Sequence, residues 1–212
     1  MKGNLLVSIE LLILFILLPV SLAFSYPIWI KTLLVLIGFI YIVIIMLRVE
    51  KISFRINKKL NWKHFWKRTL ITFVLITIIT TAYVYFVDAS KLFCVPLNKP
   101  KLWIGILLVY TFLSVWPQEI IYRTFFFVRY ERLFKDKKLL IFVNAIVFSL
   151  AHIFFRNTLV IVLTFVGGLL FAYTFYKTRS TVMVSIEHAF YGNWLFTVGM
   201  GQMLAFPGME AC

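Results

Sequence analysis

Charged residues are scarce in this 212-residue chain, which is 14% charged and 62% hydrophobic. A soluble domain of average composition has about a quarter charged residues and about half apolar ones. The shortage of charge therefore argues against an ordinary soluble enzyme and indicates a membrane protein. Acidic residues are the scarcer charged class, with 8 Asp and Glu against 22 Lys and Arg, so the formal net charge is +14.

Cysteine, glycine and proline are also few, with 2, 9 and 6 residues. Two cysteines cannot form a cysteine-rich metal cluster or a disulfide-dense scaffold. Cys94 and Cys212 both fall on the predicted outer side of the membrane, where a disulfide and two separate thiols are both open. The chain has no linker-like Gly, Ser or Pro tract and no internal repeat with a convincing period, so we expect its helices to pack together.

Long apolar runs dominate the sequence. A hydrocarbon core about 30 Å thick takes roughly 20 apolar residues as a helix. We therefore predict an all-α fold, a polytopic membrane bundle of about seven transmembrane helices. The predicted spans are Leu5–Phe24, Ile28–Leu47, Thr69–Val87, Leu102–Val128, Leu139–Phe155, Leu159–Tyr176 and Val182–Val198.

The basic residues between the runs predict the orientation, because cytoplasmic loops are enriched in Lys and Arg. If the N-terminus is inside, the inside segments hold 16 Lys and Arg, with one before the first span, eight at 48–68, five at 129–138 and two at 177–179. The outside segments hold 5. We therefore predict a cytoplasmic N-terminus and an external C-terminus, in the bacterial inner membrane. Because the basic residues lie in short loops between spans, we do not expect a nucleic-acid partner.

The first apolar run raises two separate questions. Ser21-Leu22-Ala23 resembles a signal-peptidase site after a basic start, but the preceding apolar stretch is about 18 residues, longer than a usual signal peptide has. We expect a retained transmembrane helix. Glu10 lies about two turns into this run, and we expect it to reach a polar neighbour or the membrane interface.

Ionisable side chains interrupt three of the later runs, and such groups at bilayer depth are costly and usually functional. At 1.5 Å per residue, Glu119, His152 and His188 lie roughly 15, 21 and 13 Å from the cytoplasmic edge. This common layer predicts one shared site near the middle of the membrane. His64 falls in a basic loop, where we expect a solvated or headgroup-facing role. The interrupting residues are Glu119 and Arg123 in the fourth run, His152 in the fifth, and Glu187 and His188 in the seventh.

The spacing of these residues adds detail. Glu119 and Arg123 are four apart, so they share a helix face and can pair. Phe148 and His152 are also four apart, which gives the histidine an aromatic neighbour on its own face. Pro117 precedes the acid, and we expect it to kink the fourth helix and free a backbone carbonyl near the site.

Several kinds of chemistry fit a glutamate and two histidines. A carboxylate and a histidine can take a proton from water, while a second histidine and an amide donate to a developing oxyanion. Such a set would hydrolyse an amide bond without a covalent intermediate. Two histidines and a carboxylate can also bind zinc, although the spacing is not that of H-E-x-x-H. A purely structural pair with two hydrogen-bonded histidines stays open. A transporter is less favoured, because no broken pair of half-helices is evident.

Three short stretches resemble the CPBP family, the membrane-embedded CAAX-processing and bacteriocin-processing proteases also called Abi proteins. The family motifs are E-E-x-x-x-R, F-x-x-x-H, and a histidine followed closely by Asn or Asp. The resemblance covers about residues 101–200, while residues 1–100 add three membrane helices without motifs and 201–212 form a short tail. The matching stretches are QEIIYR at 118–123, FSLAH at 148–152 and HAFYGN at 188–193.

The resemblance implies an all-helical membrane fold and a glutamate-dependent intramembrane endopeptidase acting on a membrane protein or peptide. It identifies Glu119 and Arg123 with the second acid and the arginine of the first motif. It identifies Phe148 and His152 with the second motif, and gives His152 the water-activating role. No cofactor is expected, although a divalent metal stays open.

The third motif and the first acid depart from the family pattern. The resemblance gives His188 the oxyanion-binding role, with Asn193 as its amide partner. However, Asn193 is five residues after His188, and Gly192 stands at the fourth. Five residues turn a helix about 140° past the histidine, so a bulge or break near Gly192 would be needed. The first acid of the family is Gln118 here, and an amide is no general base at neutral pH.

Two hypotheses follow for the function. In the first, the chain is an intramembrane peptidase in which Glu119 is the base, assisted by His152. In the second, it is a non-catalytic membrane scaffold or peptide-binding protein, and Gln118 marks the lost acid. One packing prediction is independent of both: Gly168 and Ala172, with Gly167, should let the sixth helix lie tight against a neighbour.

Overall fold

The structure is a computed structural model that describes residues 2–51 and 61–204. Over these ranges the chain forms helices and no β-strand, which confirms the predicted all-α polytopic bundle. Seven long helices occur in the described part of the chain. They are α1 (Asn4–Ser21), α2 (Ile28–Val49), α3 (Trp62–Lys91), α4 (Pro100–Leu133), α5 (Lys137–Phe155), α6 (Thr158–Thr178) and α7 (Thr181–Val198).

Six of these helices, α1 to α6, are long and apolar enough to cross a membrane. The seventh predicted span is present as α7, which contains the polar residues Glu187, His188 and Asn193 and is not one of these six. Large apolar side chains such as Ile78 and Leu113 are exposed along the helices. Exposed apolar surface on this scale suits contact with lipid, and the chain is an integral membrane protein.

The start of α3 differs from the prediction. The helix begins at Trp62, seven residues before the predicted Thr69. The reason is a helix cap: the Asn61 side chain accepts a hydrogen bond from the backbone N–H of His64 at 2.9 Å, which stabilises the first turn. The placement of His64 in a loop is therefore wrong, because His64 lies in the first turn of α3, where it is exposed.

The fourth helix is irregular on both sides of Pro117. Its segments Tyr110–Val115 and Ile120–Phe125 are π-helical, and an α-helical turn at Trp116–Glu119 separates them. Proline lacks the N–H that a regular helix needs, so a disturbance near Pro117 is expected. It takes the form of two wide turns, which are frequent at functional sites.

The chain divides into two compact units. The first comprises Met1–Ile56 and Ile120–Thr181, and the second comprises Asn57–Glu119 and Val182–Cys212. The division falls within α4, after Glu119. The sequence-based boundaries at residues 100 and 200 stay a prediction. Cys212 lies outside the described residues, so the two alternatives for Cys94 and Cys212, a disulfide and two separate thiols, both stay open.

In the first unit, α5 and α6 pack closely at Gly168. A Cβ atom added to Gly168 would lie 3.0 Å from the Cα atom of Ala145, closer than side chains normally approach a backbone. Ala172, one turn further along α6, is fully buried. The predicted close contact of the sixth helix with a neighbour is therefore confirmed.

A polar cluster in the first unit explains the acid in α1. Glu10 accepts hydrogen bonds from Arg129 at 2.9 and 2.8 Å, from Tyr130 at 2.8 Å and from Tyr41 at 2.8 Å. Arg129 also donates to Glu50 at 2.8 Å. The expectation that Glu10 reaches polar neighbours is confirmed, and these neighbours come from α2 and α4.

Candidate functional site

The second unit brings two of the predicted site residues into direct contact. Glu119 on α4 and His188 on α7 are 69 positions apart in sequence, yet His188 Nδ1 lies 2.7 Å from Glu119 Oε1. Glu119 is fully buried and His188 is nearly so. A carboxylate and an imidazole at this distance form a strong hydrogen bond in a medium of low polarity. Sequence analysis predicted only that the two residues share a layer.

The other ring nitrogen of His188 is bonded to a residue that sequence analysis missed. The Tyr110 hydroxyl lies 3.1 Å from His188 Nε2, and the two rings meet edge to face at 6.0 Å. Tyr110 also packs edge-on against Phe196, with ring centres 4.8 Å apart. A tyrosine in an apolar run cannot be recognised as a site residue from the sequence. Gly192 can be, because it stands at the fourth residue after His188, where the sequence departs from the family pattern.

Gly192 makes room for Tyr110. A Cβ atom at position 192 would overlap the hydroxyl and the ring of Tyr110. The helix around it is regular, because Thr181–Val198 is α-helical throughout. The bulge or break that Asn193 would need in order to face the same way as His188 is therefore absent from Thr181–Val198. As a result Asn193 lies well around the helix from His188, and its Nδ2 donates to Thr111 Oγ1 at 3.0 Å.

Gln118, at the position of the first motif acid, faces back along its own helix. Its Nε2 donates to Ser114 Oγ at 2.8 Å, one turn earlier in α4. Glu119, one residue later, is bonded to His188 instead. Two adjacent motif residues thus have different partners in the second unit.

In the first unit, the motif arginine lies over the motif phenylalanine. The guanidinium carbon of Arg123 is 4.4 Å from the centre of the Phe148 ring and 5.8 Å from that of Phe171. Arg123 is fully buried. A cation over an aromatic face in a dry environment gains about 2 kcal/mol. This contact gives a physical reason for an aromatic residue at position 148.

The second motif also fixes its histidine. His152 Nδ1 lies 2.8 Å from the carbonyl oxygen of Phe148. Because a carbonyl oxygen can only accept, Nδ1 donates, and Nε2 is the acceptor nitrogen of the neutral ring. His152 lies just after the α-helical part of α5, Lys137–Leu150. The rings of His152 and Phe148 are 4.9 Å apart, which confirms the predicted neighbourhood of these two residues.

The predicted site residues thus fall into two sets, one in each unit. The predicted pairing of Glu119 with Arg123, and the joint action of Glu119 and His152, stay predictions. The second unit holds Gln118, Glu119, His188 and Asn193, and the first unit holds Arg123, Phe148 and His152.

A second buried acid lies beside His188 on α7. Glu187 accepts hydrogen bonds from Arg68 of α3 at 2.8 Å and from Tyr191 at 3.0 Å. The Tyr191 hydroxyl also lies 3.3 Å from the carbonyl oxygen of Thr69. The charge of Glu187 is compensated by Arg68, so this acid joins α7 to α3 and has a structural role.

A metal site needs several ligating side chains in one place. Within residues 2–51 and 61–204, no group of three or more His, Cys, Asp or Glu side chains could hold a metal ion. The cofactor expectation itself stays a prediction.

Comparison with known families confirms the resemblance found in the sequence. Residues 100–195 match the family described as type II CAAX prenyl endopeptidase Rce1-like. This segment contains all three motif stretches, from Gln118 to Asn193. No curated protein and no solved structure matches the chain.

Proposed function

We propose that this integral membrane protein, whose segment 100–195 matches the type II CAAX prenyl endopeptidase Rce1-like family, is an intramembrane endopeptidase. Its substrate would be a membrane-associated protein or peptide. The observation that carries the proposal is the 2.7 Å hydrogen bond between Glu119 Oε1 and His188 Nδ1. This bond joins residues of the first and third motif stretches in a buried place, and ionisable groups at bilayer depth are costly and usually mark a functional site.

In the proposed reaction Glu119 is the general base. Its carboxylate takes a proton from a water molecule while the water oxygen attacks the carbonyl carbon of the scissile peptide bond. The carbonyl oxygen then carries the negative charge. When the carbon–nitrogen bond breaks, the proton held by Glu119 passes to the departing amine. His188 donates Nδ1–H to Glu119 and so holds the carboxylate in position for both proton transfers.

His152 has the features of an assisting base. Its Nδ1–H is donated to the Phe148 carbonyl at 2.8 Å, so its Nε2 is the nitrogen that can take a proton. The Phe148 ring contacts both this histidine and the guanidinium of Arg123. In the proposal, Arg123 supplies the positive charge of this set.

A second candidate function is a non-catalytic scaffold or peptide-binding protein of the same family. It is favoured by one observation: the family's first acid is replaced by Gln118, which donates to Ser114 at 2.8 Å. An amide cannot remove a proton from water at neutral pH. Under this hypothesis the chain keeps the helix bundle and binds a membrane peptide without cutting it.

One experiment separates the two functions. The purified full chain is incubated in detergent with a library of membrane-associated peptides, with and without a chelator, beside Glu119→Gln and Gln118→Glu. If the chain is an endopeptidase, the parent cuts peptides and Glu119→Gln does not. Gln118→Glu then cuts equally well or faster than the parent. A parent that cuts nothing, together with a Gln118→Glu variant that does cut, would establish the scaffold. Equal cutting by the parent and Glu119→Gln would overturn the role of Glu119.

A further inference from the structure

We infer that the Tyr110 hydroxyl stands in for the motif side chain missing at position 192, and that Tyr110 is a positioning residue for His188. The inference deepens the proposed function and rests on it. Three residues of the second unit carry it: Tyr110 on α4, and His188 and Gly192 on α7.

The first step concerns the space that Tyr110 fills. In a regular helix, residues four apart lie on one face, so a side chain at position 192 would extend over the same face as His188. In this chain the position is glycine, and a Cβ atom there would overlap the Tyr110 ring. Tyr110 and a side chain at position 192 are therefore mutually exclusive.

The second step concerns the direction of the hydrogen bonds. A neutral imidazole has one donor nitrogen and one acceptor nitrogen. Since His188 Nδ1 lies 2.7 Å from the Glu119 carboxylate, Nδ1 is the donor. In the neutral ring Nε2 is then the acceptor, and the Tyr110 hydroxyl at 3.1 Å donates to it. The carboxylate fixes the proton on Nδ1, and the Tyr110 hydroxyl satisfies Nε2 and so holds the His188 ring in the orientation that donates to the proposed base.

The third step concerns the backbone of α4. Tyr110 is the first residue of the π-helical segment Tyr110–Val115. A π turn admits an extra residue and redirects the side chains around it. The Tyr110 side chain is 8% exposed, and its ring packs against Phe196. The irregular turn and the packing together hold the hydroxyl at His188.

The first test is Tyr110→Phe, which keeps the ring and removes only the hydroxyl. We expect kcat for peptide cleavage to fall about tenfold to hundredfold, as for loss of one hydrogen bond to a group whose charge matters, with KM within about twofold. Tyr83→Phe is the matched control, because Tyr83 is exposed on α3. Unchanged kcat, or a loss that only follows a loss of folded protein, would overturn the inference.

A spectroscopic readout makes the test independent of cleavage. Nitrogen-15 NMR of histidine-labelled protein in detergent distinguishes protonated from unprotonated ring nitrogens. We expect His188 of the parent to show Nδ1 protonated and Nε2 as a hydrogen-bonded acceptor, and Tyr110→Phe to shift the Nε2 signal. If the parent cuts no peptide but this shift occurs, the proposed function fails and the positioning role holds. An unshifted signal overturns the positioning role, whatever the activity.

The second test exchanges the two side chains. Gly192→Asn alone should lower both thermal stability and kcat, because the new side chain overlaps Tyr110. Tyr110→Ala alone should lower kcat. The double variant Tyr110→Ala/Gly192→Asn should exceed each single variant in kcat by about tenfold, since the amide then has room to form one hydrogen bond to His188. A double variant no better than the poorer single variant contradicts the exchange, and the NMR result on Tyr110→Phe decides the case if the double variant does not fold.

Discussion

The guanidinium carbon of Arg123 lies 4.4 Å from the centre of the Phe148 ring, and these two residues come from the first and second family motifs. The carbonyl oxygen of the same Phe148 accepts the Nδ1–H of His152 at 2.8 Å. One residue therefore supports both the motif cation and the motif histidine, through its ring and its backbone. The F-x-x-x-H spacing has a direct physical reason in the first unit.

We expect Arg123→Lys to lower the free energy of unfolding by about 1–2 kcal/mol. Lysine keeps the charge but cannot lie flat on the Phe148 ring as a guanidinium does. Arg132→Lys is the control, because Arg132 is an exposed arginine in the same helix. Thermal unfolding in detergent measures the difference, and equal melting of the two variants would contradict a role for the stacked contact.

We expect Glu119→Gln to lower peptide cleavage by about two to four orders of magnitude, the usual loss for a general base. The fold should survive, because the glutamine amide oxygen can still accept from His188. Glu187→Gln is the matched control, because Glu187 is also a buried acid and lies one position from His188. It should lower stability by about 1–3 kcal/mol by weakening the bond to Arg68, while the folded fraction keeps its kcat. If Glu187→Gln abolished cleavage and Glu119→Gln only lowered stability, Glu187 would be the base and Glu119 the structural acid.

The cluster around Glu10 predicts a graded loss of stability. Arg129→Ala leaves two carboxylates, Glu10 and Glu50, without their shared partner, and we expect a loss of about 3 kcal/mol or more. Tyr41→Phe removes one neutral hydrogen bond and should cost about 1 kcal/mol. Denaturation of each variant in detergent would measure these losses of stability. Comparable losses in the two variants would show that Arg129 does not organise this cluster.

The contact at Gly168 predicts intolerance of even a small side chain. Gly168→Ala should lower the melting temperature, since its Cβ would lie 3.0 Å from the backbone of Ala145, and Gly168→Leu should be worse. Gly105→Ala is the matched control, because nothing lies within 4 Å of its added Cβ. We expect that control to be neutral or slightly stabilising, as alanine favours helix. A harmless Gly168→Ala would exclude the tight α5–α6 packing.

The charge distribution predicts the topology. A reporter fused in the segment 92–99, between α3 and α4, should report a position outside the cytoplasm. A reporter fused in 134–136, between α4 and α5, should report a position inside it. The reason is the excess of Lys and Arg in the predicted inside loops, 16 against 5. Cytoplasmic activity of the first fusion would reverse the predicted orientation.

The helices could be predicted because each depends mainly on the length of an apolar run. The start of α3 could not, since it depends on the Asn61 cap and not on hydrophobicity. Glu119 and His188 were predicted as site residues from their cost in lipid. The partner of His188 was not, because Tyr110 is ordinary in an apolar helix, and its position depends on a π turn that local sequence does not specify.

The bond between Glu10 and Arg129 has a consequence for synthesis of the protein. The two residues are 119 positions apart, so at about 5–20 residues per second Glu10 is made roughly 6 to 24 s before its partner. During that interval Glu10 of α1 and Glu50, the residue after α2, lack the guanidinium that binds both of them. We therefore expect α1 and α2 to stay near the membrane surface, or beside an insertion factor, until α4 is made. A segment limited to residues 100–195 would contain Arg129 without Glu10 and Glu50, the two acids that bind it.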